Sequence, residues 1–258
     1  MKLYYFPTSH WSRIVHLVVR ELELDCQTEV VDLRTNANFE PQYLALNPRG
    51  VVPTLDADGE IVWDGRNIVR HLDARHAGGR LWERCDEPAQ AWTQELHDFP
   101  VMLFSYSVWV LGARGERSED ILADKLTRAR DYAERYPEQR ELYLRKAAFF
   151  EAFSAEVYDD AHVAAQLEHW RQRLEALGEL LRTRPWIGGE QPGFADCMAA
   201  ATLARLVDLE RAHDWYADET HPLRMYMERW RERASYRHVF YEDPNIEARL
   251  RLREPAAS

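Results

Sequence analysis

Three short stretches of the 258-residue chain carry residue types that could hold and activate a thiol. In PTSHWSRIV, residues 7–15, an apolar run gives way to a helical pattern. The free N–H groups at a helix N-terminus stabilise negative charge. A hydroxyl at Ser9 could donate to a thiolate there and lower the pKa of the thiol. Ser9 is therefore the candidate activating residue and Ser12 the runner-up, although either serine could simply cap the helix.

The second stretch, VVPTLDADGEIVWDG at residues 51–65, places a proline at the start of a strand pattern. Pro53 cannot donate to a strand ladder, so it belongs at an edge, a strand start or a tight turn. A cis bond before Pro53 would turn the N–H and C=O of Val52 outward, towards a peptide-like ligand. The alternative is a trans proline that begins an edge strand, which is the commoner isomer.

The third stretch, WDGRN, could hold the charged end of a ligand. Asp64 can cap a helix that starts near Gly65, and the free helix N-terminus would attract a carboxylate. Gly65 has no Cβ, so a ligand could approach its N–H closely. Arg66 could add a charge-assisted hydrogen bond. The alternative is an ordinary capped helix without a ligand.

The elements that must position these residues alternate along the first 78 residues. Short apolar runs predict strands, longer amphipathic runs predict helices, and Asp58-Gly59 predicts a two-residue hairpin. The predicted order is β-α-β-α-β-β-α, a small mixed sheet with helices on both faces. The strands are expected near 2–6, 27–33, 53–57 and 60–63, and the helices near 12–24, 38–50 and 65–76.

Beyond residue 80 the strand signal disappears and helical spacing takes over, so an all-helical domain is predicted at 86–258 after an α/β domain at 1–78. Its clearest helices are expected near 87–99, 161–181, 194–212 and 223–235. The charged segment 113–160, broken by Pro137, could be a helical excursion or a mobile loop. The polar tail from residue 244 is expected to be loosely held.

Aromatic residues recur on one predicted helix of this second domain, at Trp92, Phe104, Tyr106 and Trp109. They could pack a core, or Phe104, Tyr106 and Trp109 could wall an apolar substrate pocket. The sequence leaves both interpretations open.

Composition narrows the class of function. A net charge of −11 and a pI near 5.4 argue against nucleic acid as a partner. No apolar run is long enough for a membrane span, and no signal peptide is expected. Three well-separated cysteines without a CxxC pattern favour a reduced, cytoplasmic setting. The histidines show no metal-ligand spacing, so no metal is expected.

Taken together, these patterns resemble the glutathione S-transferase superfamily. NPRGVVPTL is similar to its N-P-x-G-x-V-P-x-L signature, and WDGRNI falls where the family has Glu-Ser-x-x-Ile. GGEQPGFADCMAA resembles its N-capping box, with Asp196 as the acid of the box and Gly193 at the cap position. Two further stretches resemble the tetrachlorohydroquinone reductive dehalogenase branch and, more loosely, the β-aryl etherases. They are residues 38–55 and 128–143.

The resemblance implies a thioredoxin-like domain that binds glutathione as cosubstrate and a helical domain that binds a hydrophobic electrophile. It implies a cis bond at Pro53 and pairing of Val52 with the cysteinyl backbone of glutathione. Asp64, Gly65 and Arg66 are expected at the γ-glutamyl end. Trp11 is counted with the glutathione-binding residues, and it stands where cysteine-type members have their catalytic thiol. That replacement argues against a mixed-disulfide mechanism and leaves Ser9 as the candidate.

The expected activity is therefore transfer or lysis, in which a glutathione thiolate attacks an electrophilic aromatic carbon with loss of halide or aryl ether oxygen. The resemblance also implies a homodimer. The alternative is a noncatalytic glutathione-fold binding or regulatory protein, which Gly65 and Trp11 keep open.

Overall fold

The computed structural model describes residues 1–82, 85–111, 120–210 and 218–245, without side chains at 108–111 and 120. The chain divides into two compact units. The first unit comprises Met1–Leu33, Val51–Phe99 and Leu174–Ser258, and the second comprises Arg34–Gly50 and Pro100–Arg173. The domain boundary that the sequence places between 78 and 86 stays a prediction.

A four-stranded mixed sheet forms the centre of the first unit, as predicted. The strand order is β2-β1-β3-β4, with β1 parallel to β2 and antiparallel to β3, and β3 antiparallel to β4. The first two strands end earlier than the sequence suggested. The strands are β1 (Lys2–Tyr5), β2 (Gln27–Val30), β3 (Thr54–Ala57) and β4 (Glu60–Trp63).

The strand register decides which loops meet. Thr54 pairs with Tyr4 on one side and with Trp63 on the other. The residues after β1, before β3 and after β4 therefore lie at the same end of the sheet. The predicted hairpin closes the opposite end, where Asp58 and Gly59 both adopt the positive φ of a type I′ turn.

Helices account for most of the remaining described residues. They are α1 (His10–Glu21), α2 (Pro41–Leu46), α3 (Gly65–Leu72), α4 (Glu87–His97), α5 (Val101–Leu111), α6 (Asp120–Arg135), α7 (Arg140–Val157), α8 (Asp160–Leu181), α9 (Phe194–Asp208), α10 (Pro222–Glu232) and α11 (Ala234–Arg237). Short 3₁₀ turns lie at Ala37–Phe39 and Pro137–Gln139, and π-helical turns at Asp73–Ala77 and His238–Glu242. In the part of the chain described, no helix has the length and apolarity to cross a membrane.

Most of the predicted apolar stripe of α1 is buried against other helices of the first unit. Ile14, Val15, Leu17 and Val18 are fully buried, and α1 packs against both α3 and α9. Burying a side chain of this size contributes about 1.5–3 kcal/mol relative to leaving it exposed. This packing fixes the position of the first turn of α1, which belongs to the candidate stretch at residues 7–15.

The sequence left two alternatives for residues 113–160, a helical excursion or a mobile loop, and the structure decides between them for the residues it describes. Residues 120–157 form α6, a 3₁₀ turn and α7, and Pro137 begins that turn between the two helices. The helical interpretation is therefore correct for these residues. Residues 112–119, and 246–258 of the predicted loose tail, lie outside the described residues.

Asp196 in the first turn of α9 closes the predicted capping box. Its carboxylate accepts hydrogen bonds from the backbone N–H groups of Ile187, Gly188 and Gly193, at 2.7, 2.8 and 2.9 Å. The Tyr226 hydroxyl donates a fourth at 3.0 Å. Complete burial raises the pKa of Asp196 to about 6, and the four donors oppose that rise. The capping box is thus a buried carboxylate with four hydrogen-bond donors, and it links the loop at residues 187–193 to the N-terminus of α9.

Candidate functional site

The first turn of α1 holds Ser9 where a thiol activator is expected. Ser9 is the N-cap, with extended backbone, and its Oγ accepts from the N–H of Ser12 at 3.5 Å. Ser9 is half-buried. A serine hydroxyl has one donor proton besides its acceptor lone pairs, so capping leaves the proton available to a ligand. Capping and thiol activation are therefore compatible at this residue.

Ser12 is not at the helix start, which corrects the sequence-based placement. The helix begins two residues earlier, at His10, because Ser9 rather than Ser12 satisfies the cap. Ser12 is fully buried, and its Oγ accepts from the N–H of Phe6 at 3.2 Å. Ser12 therefore holds the end of β1 to the first turn of α1.

Two buried arginines, which the sequence analysis missed, support the turn between β1 and α1. Arg13 Nε donates to the carbonyl of Pro7 at 3.0 Å, and Arg205 donates to the carbonyl of Thr8. Arg13 also pairs with Asp208 at 2.8 Å. Burial, and then the charge of Arg13, lowers the pKa of Arg205 to about 10. Both are basic residues inside apolar helix patterns, and that is the signal by which the sequence could have revealed them.

His10 lies beside Ser9 but brings no charge to it. The imidazole is buried, packs near Phe99 at 5.9 Å between ring centroids, and has no hydrogen-bond partner for Nδ1 among the described residues. Burial, and then the charges of Arg205 and Arg13, together lower the pKa of His10 to about 3. His10 is therefore neutral near physiological pH.

Trp11 lies directly on Gly65, so the first and third candidate stretches are in contact. A Cβ placed on Gly65 would lie 2.3 Å from Cε3 of Trp11, far inside any normal contact. The indole is half-buried and meets the ring of His97 edge-on at 5.6 Å. The two departures from the family pattern, a tryptophan at 11 and a glycine at 65, are thus two sides of one contact.

This contact predicts that an added side chain at residue 65 is tolerated only when the indole is removed. Gly65→Ala is expected to destabilise the parent chain by about 1–3 kcal/mol, the usual cost of overpacking. In a Trp11→Ala background the same change should be neutral or stabilising, since alanine favours helix more than glycine does. The measurement is a double-mutant cycle on the free energy of unfolding.

Gly178→Ala is the matched control, because Gly178 is also helical but a Cβ added to it would meet its nearest neighbouring atom at an ordinary 3.7 Å. It should not destabilise the chain in either background. Additive effects of the Trp11 and Gly65 changes would contradict the contact.

The N-terminus of α3 is formed by Asp64 and Gly65, as predicted. Asp64 adopts φ 78° and ψ 123°, and its Oδ1 accepts from the N–H of Arg66 at 3.1 Å and of Asn67 at 3.5 Å. A positive φ outside glycine is uncommon and often marks a functional position. The Arg66 guanidinium lies over the ring of Trp82 at 5.2 Å.

Val52 and Pro53 complete the arrangement at this end of the sheet. The Val52–Pro53 bond is cis, which confirms the prediction. The Val52 side chain is buried, and its backbone N–H and C=O make no backbone hydrogen bond within the described residues. Because Thr54 pairs with Tyr4 and with Trp63, Val52 and Pro53 lie at the sheet end where β1 and β4 finish. One sheet end thus gathers two helix N-termini, a hydroxyl and a peptide backbone that can still pair.

Comparison with known proteins gives this arrangement a family. Residues 8–75 match the model of the glutathione S-transferase N-terminal domain and residues 160–233 that of its C-terminal domain, together more than half of the chain. The chain belongs to the glutathione S-transferase family. Members of this family use glutathione as cosubstrate, and its fold is the thioredoxin-like domain with a helical domain that the sequence predicted.

Individual proteins that are similar to this chain are consistent with the family assignment. Tetrachloro-p-hydroquinone reductive dehalogenase of Sphingobium chlorophenolicum is 29% identical over 242 residues, 92% of this chain and 94% of the relative. Glutathione S-transferase 3 of Zea mays is 38% identical over 77 residues, 30% of this chain and 35% of the maize protein. A Phanerochaete chrysosporium glutathione transferase, solved with oxidised glutathione, superposes with a TM-score of 0.61 at 16% identity, covering 93% of each chain.

The predicted substrate-pocket residues lie in the second unit, on α5. Phe104 is buried, and Tyr106 meets Phe153 edge-on at 5.6 Å, so both rings take part in packing. Burial raises the pKa of Tyr106 to about 12. The Trp109 side chain lies outside the described residues. A role for these three residues in substrate binding stays a prediction.

Proposed function

We propose that this family member is a glutathione-dependent transferase or lyase acting on electrophilic aromatic compounds. The glutathione thiol loses its proton to solvent, and the thiolate sulfur forms a bond to the carbon that bears the leaving group. The bond from that carbon to halide or aryl ether oxygen breaks, and the leaving group takes the bonding electron pair. Trp11 is not a thiol, so the chemistry proposed here is substitution rather than mixed-disulfide reduction.

One observation carries the proposal: Ser9, Val52 and Asp64-Gly65 lie at the same end of one sheet. A peptide thiol placed there could pair its backbone with Val52 and direct its sulfur to Ser9 at the N-terminus of α1. Its γ-glutamyl ammonium would meet the Asp64 carboxylate, and its carboxylate the N–H of Gly65. Arg66 would add positive charge, and the indole of Trp11 would border the ligand.

The proposal is tested in two steps. Glutathione should raise the melting temperature of the chain, because a ligand that binds only the folded state stabilises it. The protein should then convert a chloronitroaromatic compound with release of chloride and formation of the thioether. If the protein binds glutathione but converts neither a chloroaromatic nor an aryl ether substrate, the proposed catalysis is wrong.

The contact of Trp11 with Gly65 favours a second candidate, a glutathione-fold protein that binds without catalysis. The indole covers the Cα of Gly65 and so narrows access to the N-terminus of α3. Stabilisation by glutathione without turnover of any aryl substrate would support this second candidate over the first.

Asp64→Asn should separate the ligand role of Asp64 from its capping role. Asparagine caps a helix about as well as aspartate and tolerates positive φ, but it carries no charge for an ammonium group. We expect the KM for glutathione to rise about tenfold, as for loss of one charge-assisted hydrogen bond, with little change in KM for the aryl substrate. Asp86→Asn, at the cap of α4, is the control. Equal KM values in parent and variant would refute the assignment.

The remaining features of the proposal follow the family. We propose that Phe104, Tyr106 and Trp109 line the aromatic-substrate pocket, that residues 1–78 and 86–258 are the glutathione-binding and substrate-binding domains, and that the chain acts as a cytoplasmic homodimer.

A further inference from the structure

The second unit contains a polar framework that the proposed function does not explain. Residues 34–50, here called the connecting segment, are held along their length by α6 and α7. In its first half, side chains of both helices bond to the segment, and Asp124 of α6 accepts from Asn36 Nδ2 at 3.4 Å. These side chains also form the hydrogen bonds Lys125 Nζ to Asn36 Oδ1 at 2.9 Å, Tyr132 hydroxyl to Glu40 Oε1 at 2.6 Å, and Tyr143 hydroxyl to the Phe39 carbonyl at 2.6 Å.

The last residues of the connecting segment are held by Lys146 of α7. Its ammonium donates to the carbonyl of Arg49 at 2.9 Å and to the carbonyl of Gly50 at 3.1 Å. Asn38 of the same segment donates to the Gly50 carbonyl at 2.7 Å. Gly50 has φ 55°, and a Cβ on it would lie 2.8 Å from Cε of Lys146. The stem of Lys146 therefore packs against Gly50 with no room for a side chain on residue 50.

Placing an ammonium group here is unfavourable, which makes a purely packing role for Lys146 a poor explanation. Burial, and then the charges of Lys125 and Arg49, together lower the pKa of Lys146 to about 8. An apolar side chain of similar length would fill the space over Phe39 without that desolvation cost. What it could not do is donate to two consecutive carbonyls.

Those carbonyls belong to the two residues before Val51-Val52. We propose that Lys146 is a positioning residue for glutathione, which fixes the chain at Arg49 and Gly50 and so orients the peptide backbone of Val52. The inference rests on the proposed function, since it takes Val52 as the backbone partner of the cosubstrate. It gives the helix pair α6–α7 a role as the frame of the connecting segment.

The test compares Lys146→Met with the parent chain. Methionine keeps the length of the stem and removes the donors. We expect KM for glutathione and Kd for S-hexylglutathione to rise about tenfold, the equivalent of one net hydrogen bond, while kcat at saturating glutathione changes less than twofold. Lys146→Arg, which can still donate to both carbonyls, should restore most of the affinity.

Arg145→Met is the matched control, because Arg145 is adjacent on α7, two-thirds exposed, and paired with Glu141. It should bind as the parent does. If Lys146→Met does not fold, Lys146→Gln takes its place, with uncharged donors and an expected intermediate affinity. A Lys146 variant that folds and binds S-hexylglutathione as tightly as the parent overturns the positioning role but leaves the proposed function intact. A parent chain that does not bind S-hexylglutathione overturns both.

Discussion

Ser9→Gly is expected to lower glutathione-dependent turnover near neutral pH by roughly 10- to 100-fold. The reason is that a free thiol with a pKa of about 8.5 is mostly protonated at that pH, and the thiolate is the nucleophile. In the proposed function the Ser9 hydroxyl favours the charged form of the bound thiol, so its loss should move the kinetic pKa upward. The deficit should therefore shrink as the pH rises above the pKa of the free thiol.

Glycine is the informative replacement at this position, since it caps a helix nearly as well as serine. A loss of rate without a matching loss of stability would separate activation from capping. Ser9→Thr keeps the hydroxyl and should keep most of the activity. Ser12→Ala is the contrast: it removes the buried hydrogen bond between the Phe6 N–H and Ser12 Oγ, so it should cost about 1 kcal/mol of stability without moving the kinetic pKa. The reverse result would transfer the activating role to Ser12.

Of the substitutions proposed here, Asp196→Ala is expected to lower the free energy of unfolding most, by roughly 3 kcal/mol or more. Three backbone N–H groups and the Tyr226 hydroxyl lose their common acceptor, and an unsatisfied buried donor costs about 1–3 kcal/mol. Denaturant unfolding of the two proteins measures the difference.

Asp86→Ala is the control for that experiment. Asp86 caps α4 through one backbone N–H at 3.0 Å and lies near the surface, where water can replace it. Losing such a cap costs about 1 kcal/mol. If the two substitutions destabilise the chain equally, the buried box does not have the role assigned to it.

Much of the fold could be predicted from local patterns. The order of strands and helices along the first 78 residues and the Asp58-Gly59 hairpin have short-range signatures in the sequence. The cis bond at Pro53 and the capping acid Asp196 are implied by the resemblance to the family, since the residues alone leave a trans proline as the commoner alternative. The sequence places the start of α1 two residues late, because Ser9 and Ser12 are both competent caps; in the fold Ser9 caps the helix and Ser12 bonds to the N–H of Phe6.

What escaped prediction depends on contacts between distant parts of the chain. Arg13 reaches Asp208, 195 residues away, and Arg205 reaches Thr8, 197 residues away. The contact of Trp11 with Gly65 likewise joins two helices. Residue types and spacing along one element cannot reveal such pairs. A single arginine inside an apolar helix pattern does, however, indicate that a buried partner is needed.

The Trp11–Gly65 contact also changes how the family pattern is understood. Taken separately, a missing cysteine at 11 and a missing hydroxyl at 65 look like two losses of function. The geometry makes them a single exchange, in which the indole occupies the space of a side chain on residue 65. Under the proposed function, a chain with this exchange would hold the γ-glutamyl end of glutathione through backbone N–H groups of α3 and the Asp64 carboxylate.

The central claim is that this sheet end binds glutathione and holds it as a thiolate. Its most direct test is a pH titration of the ultraviolet thiolate absorption of glutathione bound to the parent chain and to Ser9→Gly. We expect a bound-thiol pKa well below the free value of about 8.5 in the parent, and a return towards that value in the variant. A bound thiol that titrates at the free value in the parent chain, or that shows the same lowered pKa in both proteins, would contradict it.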